Sequence, residues 1–125
     1  MKAIGDCHLY GILDGDYVDR SQALDVVTSM IAGGIDVLQL RAKNWTLEEI
    51  LALGREIHPL TQQGGIPLII NDYPEVAVAI GAEGVHVGQD DLPVQEVRRI
   101  VGDKMLVGLS THSLHQVRTS TAQQV

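Results

Sequence analysis

Apolar residues recur along this chain in two alternating rhythms, and the alternation predicts a fold class before any composition is counted. Compact apolar runs at Cys7–Leu13, Ile35–Leu40, Pro67–Ile70, Gly84–Val87 and Lys104–Leu109 read as strands. The first is stopped by the turn-forming Asp14-Gly15-Asp16. Between the runs lie segments whose apolar positions repeat at helical spacing. Ser21–Ala32 carries Ala23, Leu24, Val27, Met30 and Ile31 on that period and stops at Gly33-Gly34. Thr46-Leu47-Glu48-Glu49 has the form of a capping box, Thr46 accepting from the backbone three residues on and Glu49 reaching back. The helix it opens carries Ile50, Leu51, Leu53, Ile57 and Leu60 before Gly64-Gly65 ends it. Pro74–Ile80, with proline in its first turn, and Pro93–Val101 are the remaining helices, and the tail from His112 onward reads as one more.

Strands that alternate with helices across short connections imply βα units and a parallel sheet, because parallel neighbours need a crossover between them. The fold class is therefore α/β, with about five parallel strands. No linker or low-complexity segment divides residues 1–125, so they read as one domain. Polar residues gather just after the strands, at Gln39-Leu40-Arg41-Ala42-Lys43, at Asn71-Asp72 and in Gly84 to Asp91. Parallel α/β proteins place their sites there, at a barrel's carboxyl end or at the switch point of an open sheet. A closed eight-stranded barrel takes roughly 200 to 250 residues. At 125 residues this sequence corresponds either to a smaller open sheet or to the first part of a barrel. In the second case the first and fifth strands are open edges that would admit a second copy of the chain.

Composition narrows the function classes. A formal charge of −7 argues against a nucleic-acid surface, which needs clustered Lys and Arg, with Arg41 and Lys43 a local exception. Phe is absent and aromatics are 3% of the chain, so the core must come from Ile, Leu, Val and Ala. The single cysteine, Cys7, cannot form an intramolecular disulfide, the start has no apolar leader, and no run approaches a membrane span. A cytoplasmic protein without membrane contact is expected.

The candidate chemistry sits on the strand ends. Asp72 and Asp91 follow the third and fourth strands, and adjacent strands about 5 Å apart would hold them near one another. Two such carboxylates call for a cation, and oxygen donors without thiols favour Mg²⁺. Each serves equally as a helix cap, lying two residues before Pro74 and Pro93. Arg41 and Lys43 alternate on an extended strand end and could hold a diphosphate, or simply form surface ion pairs. Gln39, two residues earlier on the same face, needs a polar partner if it points into the interior. His86 and Tyr10 are candidates for reaching a substrate or for filling the core, and Ser110 for donating to a ligand or capping the next helix. His8, Cys7 and His58 show no metal-ligand spacing and read as structural.

Taken in order, Leu-Tyr-Gly-Ile-Leu-Asp at 9–14, Gln-Leu-Arg-Ala-Lys at 39–43, Ile-Ile-Asn-Asp at 69–72, Gly-Val-His-Val-Gly-Gln-Asp-Asp-Leu at 84–92 and Gly-Leu-Ser-Thr-His at 108–112 resemble thiamine phosphate synthase. The resemblance implies a (β/α)₈ TIM barrel, of which this chain matches the first five units. It implies a transferase of thiamine biosynthesis that joins hydroxymethylpyrimidine diphosphate to thiazole phosphate and releases pyrophosphate. Gln39, Arg41, Lys43, Asn71 and Ser110 would contact the pyrimidine diphosphate, and Asp72 and Asp91 would hold Mg²⁺. Asp91, not Asp90, fits the metal position by its place in Gly-Gln-x-Asp. The implied reaction is dissociative, with Arg41, Lys43 and the metal offsetting charge on the departing diphosphate and no general base. The later units, which in the family take the thiazole phosphate, have no counterpart here. Two rival readings are a non-catalytic module that binds pyrimidine diphosphate and Mg²⁺, and a thiazole tautomerase; the Gln-x-Arg-x-Lys and Gly-Gln-x-Asp motifs weigh against the latter.

Overall fold

The structure, a computed structural model, describes residues 9–88 and 93–109. Five strands form one parallel sheet: β1 (Tyr10–Asp14), β2 (Val37–Arg41), β3 (Leu68–Asn71), β4 (Gly84–Val87) and β5 (Leu106–Leu109). Their spatial order is β1-β2-β3-β4-β5, with no reversal and hence no switch point. Four helices make the crossovers: α1 (Ala23–Ala32), α2 (Leu47–Gln63), α3 (Pro74–Ile80) and α4 (Val94–Val101). Right-handed crossovers between successive neighbours put every helix on the same face. Accordingly each packs beside the next, α1 with α2, α2 with α3 and α3 with α4.

Strand alternation then assigns the two faces. Leu13, Leu38, Leu40, Leu68, Ile70, Val85, Val87 and Val107 point toward the helices and are buried with Val27, Ile50, Leu53, Ile57, Val76, Ala77 and Val97. This is the aliphatic core that the composition requires. The opposite face carries Tyr10, Ile12, Gln39, Arg41, Ile69, Asn71, His86 and Gly108, which the registers Ile12↔Gln39, Gln39↔Ile69, Asn71↔His86 and His86↔Gly108 align across the sheet. A cavity of about 340 Å³ on this face is lined by Tyr10 of β1 and by Leu106 and Gly108 of β5. The sheet therefore curls until its first and last strands face one hollow.

Several expected boundaries move. β2 begins at Val37, not Ile35, and β5 at Leu106, not Lys104. Ile35 and Met105 pack against the core from loops below the ladder, so burial extends beyond the hydrogen-bonded strands. A 3₁₀ turn at Arg20–Gln22 precedes α1, which starts at Ala23 and not Ser21. The expected start of β1 at Cys7 and the helix after His112 lie outside the described residues. The capping box forms as expected, with Thr46 Oγ1 accepting from Glu49 N at 3.1 Å and Glu49 Oε1 accepting from Thr46 N at 3.1 Å.

The end of the sheet away from the polar clusters is stitched by Glu83. Its carboxylate accepts from Leu68 N at 3.1 Å and pairs with His58 Nε2 of α2 at 2.8 Å. Its backbone bonds to Leu68 O and Leu106 N, so one residue ties β3, β5 and α2 together. His58 is structural in this sense. Among the described residues no helix is long and apolar enough to cross a membrane.

Candidate active site

At the carboxyl end of β2, Gln39 and Arg41 share the face that looks away from the helices. Gln39 is 6% exposed, and its amide is satisfied on both sides. Asn71 Nδ2 of β3 donates to Gln39 Oε1 at 3.1 Å, and Gln39 Nε2 donates to the Tyr10 hydroxyl of β1 at 2.9 Å. The polar partner that a buried glutamine requires is thus a pair of side chains from the two flanking strands.

Arg41 is half-buried at the strand's last position. Its Nη1 lies 4.0 Å from Asp14 Oδ2, across the aligned ends of β1 and β2. Asp14, read from sequence only as part of a turn, is the residue that sequence reasoning missed. Its spacing from Tyr10 and Ile12 on one strand face was the available signal. Above it, Gly15 N donates to Arg41 O at 2.7 Å and Gly15 O accepts from Trp45 Nε1 at 3.2 Å. A Cβ at position 15 would meet the Trp45 ring at 2.7 Å, so glycine is what lets the indole close over this junction. Lys43 departs from the expectation. The strand ends at Arg41, and Lys43 sits exposed in the following turn, where strand alternation no longer dictates its side.

Asp72 follows β3 with a φ of +72°, the left-handed region that non-glycine residues seldom occupy. Its backbone N donates to His86 O at 2.8 Å. Tyr73, not Asp72, is the N-cap of α3, and its side chain makes no capping hydrogen bond. Asp72 instead stands at the strand mouth between Asn71 and the neighbouring β4. His86, half-buried on the cavity face of β4, has its pKa lowered by burial, while the charge of Asp72 acts in the opposite direction. A neutral imidazole at pH 7 follows. Its ring occupies space left by Gly108, where a Cβ would come within 2.6 Å of His86 Nδ1. The cavity beside it is lined by Tyr10, Ile69, His86, Arg98, Leu106 and Gly108.

The structure therefore brings together Gln39, Arg41, Asn71, Asp72 and His86 on the carboxyl halves of β2, β3 and β4, with Tyr10, at the first position of β1, joined to Gln39 through its hydroxyl. Asp91 and Ser110 lie outside the described residues.

A singly wound parallel βα sheet with its polar groups at the carboxyl ends of the strands defines an α/β protein of the TIM-barrel class, here with five of the strands in place. Comparison with known proteins makes this specific. The family described as thiamine monophosphate synthase matches residues 9–125. The thiamine-phosphate synthase of Roseiflexus sp. (strain RS-1) is 41% identical over 110 residues, covering 88% of this chain and 47% of that protein. That of Pelotomaculum thermopropionicum is 40% identical over 120 residues, covering 96% and 55%. Among solved structures, the thiamine phosphate pyrophosphorylase from Pyrococcus furiosus superposes with a TM-score of 0.84 at 25% identity, covering 94% of this chain and 56% of that one. The chain belongs to the thiamine monophosphate synthase family. It spans about half the length of the curated relatives it matches.

Proposed function

We propose that this chain carries the pyrimidine diphosphate and Mg²⁺ half of a thiamine-phosphate synthase site, in a protein that joins hydroxymethylpyrimidine diphosphate to thiazole phosphate. The observation that carries this reading is the convergence of Gln39, Arg41, Asn71, Asp72 and His86 on three adjacent strand ends of a chain belonging to that family. Arg41 would take the diphosphate through its planar fork, and Lys43, exposed beside it, as a point charge. Asn71, with Tyr10 and His86, would face the pyrimidine, and Ser110 would donate to the diphosphate.

The donor chemistry suits Mg²⁺. Asp72 offers hard carboxylate oxygens at the strand mouth, and Mg²⁺ typically takes one or two carboxylates with substrate phosphate and water. Asp72 and Asp91 would hold it, and when bound it supplies positive charge against the diphosphate. Arg41 and Lys43 act in the same sense, stabilising negative charge as the diphosphate departs, so no side chain needs to serve as a base. Residues 1–125 would act as one domain in the cytoplasm, with the β1 and β5 edges available for a second copy of the chain.

The test is to incubate the protein with both substrates and Mg²⁺ and assay thiamine phosphate. Formation of thiamine phosphate with equimolar pyrophosphate is expected of a complete site. Because the chain spans about half of its relatives, a second reading is binding of the pyrimidine diphosphate without turnover. Saturable binding with no product supports that reading, and absence of both product and binding overturns both.

A further inference from the structure

Asp14 is held in place at the carboxyl end of β1 by both its backbone and its side chain. Its backbone O accepts from Tyr17 N at 3.0 Å and from Val18 N at 3.1 Å, and its carboxylate Oδ1 accepts from Asp16 N at 2.9 Å. The other carboxylate oxygen, Oδ2, faces Arg41 Nη1 across the register Asp14↔Arg41. The Asp14 side chain is 17% exposed and that of Arg41 40%, so the acid is the anchored member of the pair and the base the one with room to move. At 4.0 Å the pair lies beyond hydrogen-bond range and within ion-pair range, so Asp14 attracts the guanidinium without using up its N–H donors. A tight bidentate pair would have consumed the fork that an anion needs. β2 lies between β1 and β3, and β3 is followed by Asp72. Pairing with Asp14 draws Arg41 toward β1 and away from the carboxylate proposed for the metal.

We infer that Asp14 is a positioning residue whose fixed carboxylate holds the Arg41 guanidinium ready at the strand mouth, with its donors open to the diphosphate. The inference rests on the diphosphate reading above and adds how the cation is kept in place before the anion arrives. A long arginine side chain loses rotamer freedom when it binds an anion, and one already held loses less. The opposing effect is the charge of Asp14 itself, which repels the same anion. The two effects have opposite signs and separate by their dependence on Arg41. Ordering acts through the guanidinium alone, whereas repulsion persists without it.

The experiment is calorimetric titration with inorganic pyrophosphate in Mg²⁺ of the wild-type protein, Asp14→Asn, Arg41→Ala and the double variant. Asparagine keeps an oxygen for Asp16 N and removes the charge. Asp14→Asn should weaken binding about 2- to 12-fold, the range for ordering one long side chain. In the Arg41→Ala background the same change should leave the affinity as it was or raise it. Trp45, the only tryptophan, donates to Gly15 O next to Asp14, so its fluorescence reports on this junction and should be the same in Asp14→Asn. Affinity unchanged or raised by Asp14→Asn alone makes Asp14 a mere neighbour and overturns the inference. An equal loss in both backgrounds overturns it too, as does a loss accompanied by shifted Trp45 emission, which would belong to the turn. If pyrophosphate binds the wild-type protein but is indifferent to Arg41→Ala, the positioning role falls together with the Arg41 assignment, while a metal-held diphosphate stands. If pyrophosphate does not bind the wild-type protein, the reading of the site falls and the inference with it.

Discussion

Asp72 is the residue at which backbone cost and chemistry are set against each other. An L-residue at φ +72° costs roughly 1 kcal/mol or more, with aspartate among the less penalised side chains. Glycine at that position carries no such strain, so a carboxylate held there points to a use for the carboxylate. Asp72→Gly should keep the stability within about 1 kcal/mol, whereas Asp72→Ala should lose about 1 kcal/mol, both read by urea denaturation. Both should abolish Mg²⁺-dependent binding of pyrimidine diphosphate. Retained Mg²⁺ dependence in either variant would remove Asp72 from the metal site. Tyr10 offers a second residue-scale prediction. Its folded pKa is raised above 10.0, chiefly by burial, so the stability it contributes is fully present below pH 10 and is lost as pH rises through the folded value. Ultraviolet titration should show a tyrosinate that forms above pH 10, absent in Tyr10→Phe. Titration of Tyr10 at or below that point would show that its hydroxyl is not enclosed. At this scale the sequence showed that Gln39 needed a partner, because its parity put it inside. It could not show that the partners are Tyr10 and Asn71. That depends on the Ile12↔Gln39↔Ile69 register, which no local spacing contains.

Elements were legible where their signals are local. The Thr46 to Glu49 capping box, the glycine stops and the proline in the first turn of α3 are short-range devices, and each lies where the spacing predicted. Strand ends were not, since hydrophobic runs record burial and the ladder records pairing. The early placement of β2 and β5 follows from Ile35 and Met105, partly buried against the core without being paired. Glu83 was invisible for the same reason, since its role comes from three other elements. Removing its side chain leaves the Leu68 N–H and His58 without their partner, so Glu83→Ala should cost about 3 kcal/mol. Amide exchange at Leu68 should rise in parallel. Unaltered exchange there, or a loss under about 1 kcal/mol, would mean that β3 is held by its ladder alone.

For the whole molecule, the βα rhythm was sufficient to predict a parallel sheet, and the order β1-β2-β3-β4-β5 excludes the open, doubly wound alternative. The curl that lets β1 and β5 share a cavity is a collective property of twisted strands and could not be read from any segment. It leaves Tyr10 and Ile12 of the first strand half exposed, at 47% and 49%, on the face that carries the candidate site. The central claim is that these strand ends form one Mg²⁺-dependent diphosphate site, which single residues acting separately could not do. Calorimetric titration with hydroxymethylpyrimidine diphosphate, with and without Mg²⁺, tests it most directly in the wild-type protein and in Arg41→Ala and Asp72→Ala. The account predicts saturable binding in Mg²⁺ that weakens at least about tenfold when the metal is removed, and comparable losses in each variant. Binding that is indifferent to Mg²⁺ and to both substitutions would contradict it.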